Sequence, residues 1–282
     1  MQASGDDQHR IWILSGTGEG PPLTRSLLAR GWRVQVSVVT DAAALAYGGL
    51  PVDQIRIGAL DGQAAMAAVL QEDGPFRWVV DATHPFATRV TRDLSEVCAR
   101  VGQPLLRLER PQPSNGAAEL LDHPDGLKLH ALRGRRLLIA LGARHLAAAV
   151  AAGQAAGAEV FARVLPSTDS LRLALAVGLP ADRLAVVRPL QGPSPGALER
   201  ALCRRWTISD VLCRQSGGET ETLWRTVSSE QDLKLWLLRR PQPPLRIETV
   251  VGVQALLQRL QHERLQHDGD NHGDSGADHR SG

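Results

Sequence analysis

The chain has 282 residues, 43% of them hydrophobic, and a formal net charge of +2. That length exceeds one small core and suits two domains, while the near-neutral balance excludes the broad positive field used to hold nucleic acid. Cys98, Cys203 and Cys213 form no Cys-x-x-Cys pair, and the polar N-terminus carries no secretory pattern, so disulfide frameworks, structural zinc and export are set aside and a cytoplasmic setting is expected.

Short apolar, β-branched runs at 11–14, 33–39, 54–57, 78–80 and 105–108 predict strands, and the segments between them predict helices. Strands of this near-continuous apolar character belong in a parallel sheet covered on both faces. Pro21 and Pro22 stand where the first helix opens, a position that tolerates proline. Between 111 and 133 the pattern dissolves into Pro, Asn, Gly, Asp and His, and a connector is expected. Alternation resumes with strands at 136–141, 159–164, 184–187, 208–213 and 234–238 and a last helix over about 250–260. The alanine-rich stretch at 146–162 is broken by glycines and polar residues, well short of the roughly 20 apolar residues of a membrane span.

The fold expected is α/β: two Rossmann-like lobes, each a mainly parallel sheet flanked by helices, with the active site in the cleft between them. The domain plan is a flexible N-terminus over 1–10, a dinucleotide-binding domain over 11–110, the connector over 111–133, and a second, substrate-binding domain over 134–261. A disordered tail over 262–282 follows, with too little apolar surface to offset its ordering entropy. Its His262, His267, His272 and His279 imply no fixed ligand geometry, and no metal is expected.

Three groups of residues could carry chemistry. Gly16-Thr17-Gly18-Glu19-Gly20 follows a strand and precedes a helix, so its amides would face an anion such as a pyrophosphate, although the spacing departs from Gly-x-Gly-x-x-Gly. Ser37, at the end of the second strand, leaves room for a ribose phosphate, and composition does not decide between the phosphorylated and plain ribose. Asp81, Thr83, His84 and Pro85 follow the fourth strand, where Asp81 could orient His84 and Thr83 could donate to a ligand oxygen; a helix cap beside a surface histidine is the competing account. In the second lobe Arg144, Gln191-Gly192 and Arg214 with Ser216-Gly217-Gly218 stand at strand ends, where arginine and backbone donors would meet anions.

With these residues placed, the chain resembles the precorrin-6A reductase family of cobalamin biosynthesis, which includes the cobalt-precorrin-6A reductases. The resemblance spans most of 11–260. It rests on Gly16-Thr17 with Glu19, on Asp81-Ala82-Thr83-His84-Pro85-Phe86-Ala87, and on Arg107-Leu108-Glu109-Arg110-Pro111. Arg163-Val164-Leu165-Pro166, Gln191-Gly192-Pro193, and Ser216-Gly217-Gly218 followed by Arg239-Arg240-Pro241 continue it in the family's order. It implies an enzyme that binds NADPH and reduces one carbon-carbon double bond of the precorrin-6A macrocycle to give precorrin-6B. The cofactor would lie on 16–20 with Ser37, Asp81, Thr83 and Pro85, the tetrapyrrole carboxylates on the second lobe's arginines, and His84 would supply the proton. Arg214 replaces the family's usual lysine, Trp224 replaces another, and Asp41-Ala42-Ala43 stands where an Ala-Gly-Arg segment often reads the 2′-phosphate, which leaves NADPH against NADH open.

Rival readings meet specific obstacles. A short-chain dehydrogenase needs Tyr-x-x-x-Lys, but Tyr47 is the only tyrosine and Pro51 stands four residues on. A two-lobed nucleotide-sugar-dependent glycosyltransferase is the alternative. A nucleotide-sensing regulator would need a DNA-reading element or partner surface, and the sequence has neither. No oligomeric partner is specified by any segment.

Overall fold

Apolar runs that cannot tolerate water on either face pair side by side and take helices as cover. The structure, a computed structural model, describes residues 9–16, 18–113, 117–190 and 194–261. In it the chain divides into two units, the first running through Pro111 and resuming at Pro241, the second spanning Gln112–Arg240.

The first unit holds β1 (Arg10–Ser15), α1 (Gly20–Leu28), β2 (Arg33–Val38), α2 (Asp41–Ala44), β3 (Gln54–Ile57), α3 (Gly62–Glu72), β4 (Trp78–Ala82), α4 (Thr88–Val101) and β5 (Leu105–Glu109). Every residue of β4 is buried. Its sheet is parallel throughout, in the order β12-β5-β4-β1-β2-β3, where β12 is Glu248–Val251. With β12 as sixth strand this is the order 3-2-1-4-5-6 of dinucleotide-binding sheets, whose topological switch point falls between β1 and β4. Ligands of such sheets gather at that crevice, so the loops leaving β1 and β4 are the ones to inspect.

One helix shows how sequence sets position. In α4, Thr91, Leu94, Val97 and Cys98 recur at helical spacing and are buried, while Arg89, Arg92, Glu96 and Arg100 face water. Burying Leu94 and Val97 stabilises the unit by about 1.5–3 kcal/mol each. Gly102 ends the helix with φ 68°, and its N–H donates to Cys98 O. A charge in place of Leu94 would detach the helix from the sheet and displace the β4 exit that α4 follows.

The second unit contains β6 (Glu119–Leu121), β7 (Arg136–Ile139), α5 (Leu146–Ala155), β8 (Glu159–Val164), α6 (Thr168–Leu175) and β9 (Leu184–Val186). It continues with α7 (Ala197–Arg205), β10 (Asp210–Arg214), α8 (Glu219–Glu230) and β11 (Lys234–Leu238). The sheet order β6-β11-β10-β7-β8-β9 repeats the first unit's winding, again parallel, with the switch point between β7 and β10.

Two expectations need correction. The segment over 111–133 is not a plain connector, because β6 hydrogen-bonds to β11 and completes that sheet's edge. The C-terminal segment does not belong with 134–261: residues 248–251 form a strand rather than a helix start, pair with β5, and are followed by α9 (253–261). The reason is burial. Leu256, Leu257 and Leu260 enter the core that holds Ile11, Ile13, Leu23 and Leu106. Among the described residues no helix is long and apolar enough to cross a membrane.

Candidate functional site

β1 delivers the chain into the glycine loop at Ser15. Gly20 is buried, and a Cβ there would fall within the atomic radii of Ser15 Oγ and the Tyr47 hydroxyl, so packing between α1 and the sheet demands glycine. Gly16 and Gly18 differ: among the described residues, a Cβ at either meets nothing within 4 Å. Both are exposed, and no described residue crowds either position. Open, bare backbone of this kind is what close approach of a ligand would need. Pro21 and Pro22 remove two amides from the first turn of α1, which leaves the N–H groups of Gly18, Glu19 and Gly20 as this end's donors. Thr17 lies outside the described residues. Glu19 was expected to touch cofactor, but its carboxylate is paired with Arg110 at 2.7 Å, tying the loop to the end of β5.

At the β4 exit the polar residues lock one another. Asp81 is fully buried; Oδ1 accepts from Thr83 N–H at 3.0 Å and Thr83 Oγ1 at 2.7 Å, and Oδ2 accepts from Thr91 Oγ1 at 2.7 Å. The Arg107 guanidinium, only 2% exposed, sits 2.7 Å from Asp81 Oδ1 and also bonds Thr83, Thr91 and Glu109. Asp81 thus fixes Thr83 and the start of α4. It neither orients His84 nor offers an oxygen to a ligand, which corrects both expected roles. Thr83 likewise has its amide and hydroxyl engaged in this network.

His84 is half-buried, and its Nδ1 accepts the Phe86 N–H at 3.2 Å while Ala87 N–H donates to His84 O at 2.7 Å. The turn through buried Pro85 therefore holds the imidazole rigidly, and in the neutral ring the proton resides on Nε2. Ser37 is removed from the candidate set: it is 6% exposed and its hydroxyl accepts from Trp12 Nε1 at 2.9 Å, a satisfied core contact.

In the second unit Arg214 and Arg144 stand at the switch point. A Cβ on Gly142 would lie 3.1 Å from Arg214 Nη2, so the guanidinium reaches from the end of β10 over the backbone that leaves β7. Burial, and then the cations Arg144 and Arg163, pull the Arg214 pKa below its ordinary value. His145 is depressed by burial first and by Arg214 next. Gathered positive charge of this kind favours an anionic ligand. Ser216-Gly217-Gly218 serves differently from expectation. The Ser216 N–H donates to Arg214 O at 2.8 Å and closes a turn on the end of β10, while the Gly217 N–H donates to Glu221 Oε2 at 2.7 Å in the first turn of α8, so two of its three amides are engaged within the protein. Gln191 and Gly192 lie outside the described residues.

Reasoning from sequence alone missed Arg107, Arg110 and Arg163 as members of these sites, although each stands in a motif of the resemblance. Arg163 is 6% exposed, and its Nε and Nη2 find no hydrogen-bond partner among the described residues. A buried guanidinium so placed costs stability, and Arg163→Met is expected to leave the melting temperature unchanged or raise it. A fall of several degrees in a thermal melt would show that the cation is structurally required. The three thiols are not candidate nucleophiles: burial pushes Cys98 and Cys203 up to about 12, and raises Cys213 as well.

Two doubly wound parallel sheets, with a bare glycine loop at one switch point and converging arginines at the other, define a two-unit Rossmann-type protein. Residues 10–261 match the family model described as Precorrin-6x reductase CbiJ/CobK, and the chain belongs to this reductase family. It is 30% identical to the cobalt-precorrin-6A reductase of Synechocystis over 247 residues, covering 84% of this chain and 90% of that protein. It is also 30% identical to the precorrin-6A reductase of Rhodococcus erythropolis over 251 residues, covering 86% and 94%. A solved structure titled CobK precorrin-6A reductase superposes with a TM-score of 0.67 at 25% identity, covering 90% of this chain and 96% of that one. The resemblance expected from the motifs holds, and so does the α/β class.

Proposed function

We propose that this chain is an NADPH-dependent oxidoreductase of cobalamin biosynthesis that reduces one carbon-carbon double bond of precorrin-6A, or of its cobalt form, to give precorrin-6B. NADPH supplies hydride to one carbon, a proton reaches the adjacent carbon, and NADP⁺ is released. The observation that carries the cofactor assignment is the contrast within one loop: Gly20 is packed against Ser15 and Tyr47, whereas no described residue lies within 4 Å of a Cβ at Gly16 or Gly18. The residues present fit a dinucleotide, with the amides of Gly18 to Gly20 turned to its pyrophosphate at the switch point of a 3-2-1-4-5-6 sheet. His84, held by its own turn, is the proton donor of this reading, and Arg144 and Arg214 bind carboxylates of the tetrapyrrole. Family membership favours this reading over a glycosyltransferase.

Incubating the protein with NADPH and precorrin-6A, with and without cobalt, and following nicotinamide absorbance tests the reading. Oxidation that depends on the macrocycle is expected; its absence with both substrates would refute it. Gly18→Val should weaken NADPH binding about tenfold or more at an unchanged melting temperature, while Gly20→Val should destabilise the unit by about 2 kcal/mol or more through overpacking. Unaltered NADPH affinity in folded Gly18→Val would remove the loop from the site. Arg214→Ala should raise KM about tenfold with kcat largely kept, as loss of a positioning contact does. Full activity at subsaturating substrate would count against that role.

A further inference from the structure

Glu19 poses an electrostatic problem for the loop it sits in. The residue is the N-cap of α1, where a carboxylate is attracted both by the helix dipole and by unbonded amides. Its side chain makes no capping hydrogen bond, because Pro21 and Pro22 occupy the two positions whose amides an N-cap side chain binds, so its charge is left beside the remaining donors of Gly18 to Gly20. It is instead held by Arg110 Nη2 at 2.7 Å, in a pair whose side chains are 12% (Arg110) and 29% (Glu19) exposed, so solvent screens it only in part. Arg110 follows directly on β5 and is the second-last residue before the chain enters the second unit.

We propose that Arg110 is a positioning residue of the cofactor site, which keeps the Glu19 carboxylate off the amides of Gly18 to Gly20 and cancels its charge so that a pyrophosphate can bind there. The inference rests on the dinucleotide reading of the loop. Without Arg110 the carboxylate is an intramolecular competitor, tethered one residue from the helix start and drawn to the same donors as the ligand. Its charge would also repel a pyrophosphate across a partly desolvated gap, where Coulomb energies exceed those in bulk water. A capping role for Glu19 and a direct phosphate contact for Arg110 are different devices, and they predict different results.

The test is a double-mutant cycle on NADPH binding, read by nicotinamide fluorescence, with a thermal melt of every variant. Arg110→Ala should weaken NADPH binding roughly tenfold. Glu19→Gln in that background should restore affinity to within about threefold of the parent, since a neutral amide neither carries the charge nor competes as strongly. Glu19→Gln alone should bind at least as well as the parent at low salt, and the defect of Arg110→Ala should shrink as ionic strength rises. If Glu19→Gln fails to rescue Arg110→Ala, Arg110 touches the ligand itself and the proposal is overturned. If Glu19→Gln alone is as damaging as Arg110→Ala, the pair is only a staple for the loop, and the proposal fails in that case too. A parent protein that binds no NADPH would bring down the dinucleotide reading and this inference with it, an outcome distinct from either failure of the cycle.

Discussion

Asp81→Ala is expected to destabilise the first unit by about 3–5 kcal/mol, because it leaves the buried Arg107 guanidinium without its main carboxylate partner. Arg107 is 2% exposed and cannot turn to water; Glu109 keeps its bond to Nε at 3.0 Å, but Nη1 loses the charge it faces. Thr83 and Thr91 lose their acceptor at the same stroke. For a unit of this size the loss corresponds to a fall of about 10 °C or more in melting temperature. Asp81→Asn, which retains one acceptor oxygen and the shape, should lie between the two. A thermal melt of Asp81→Ala within about 2 °C of the parent would show that the network contributes little and that Asp81 has another purpose.

The same residues show what a sequence discloses. The parallel sheets were legible because strands such as 78–82 are apolar enough to require cover on both faces, and because glycines and prolines punctuate their ends. The position of the polar group was legible too, since residues directly after such a strand must sit at its end of the sheet. What Asp81 does there was not. Its partner Arg107 lies on the neighbouring strand, and only the register Asp81↔Arg107 brings them together. An aspartate three residues before a histidine looks like a dyad, yet Asp81 is taken up by Arg107, Thr83 and Thr91.

The edge strands were illegible for a different reason. β6 has three residues and β12 four, most of them exposed or half-exposed, so neither presents a pattern that composition can detect. Each strand is defined by the neighbour it completes. The glycine loop shows a third limit. Gly16, Gly18 and Gly20 are indistinguishable in sequence, and it takes Tyr47, far along the chain, to show that Gly20 is held by packing. Likewise Glu19 and Arg110 are 91 residues apart, a separation at which no spacing rule operates.

The largest functional effect is expected at His84. Its Nδ1 accepts from the Phe86 amide, the turn is closed by Ala87, and Thr83 before it is bound into the Asp81 network, so the neutral ring has a fixed place. To act as an acid it must first take up a proton at Nδ1, releasing the Phe86 amide, and then give up the proton on Nε2. If that proton goes to the carbon beside the one receiving hydride, His84→Ala should lower kcat by about 100-fold or more, the usual worth of a positioned acid. NADPH affinity should stay within about threefold of the parent, because the loop proposed to hold the pyrophosphate is a different one. His84→Asn is the sharper variant: its Oδ1 can take the place of Nδ1 and keep the Phe86 hydrogen bond but cannot protonate carbon, so it should restore stability without restoring turnover. Pre-steady-state measurement of nicotinamide oxidation separates the alternatives. Near-normal turnover in both variants across the pH range where histidine titrates would assign the proton to water or to another group. His84 would then be what its hydrogen bond to Phe86 also allows, a residue that shapes the turn ahead of α4.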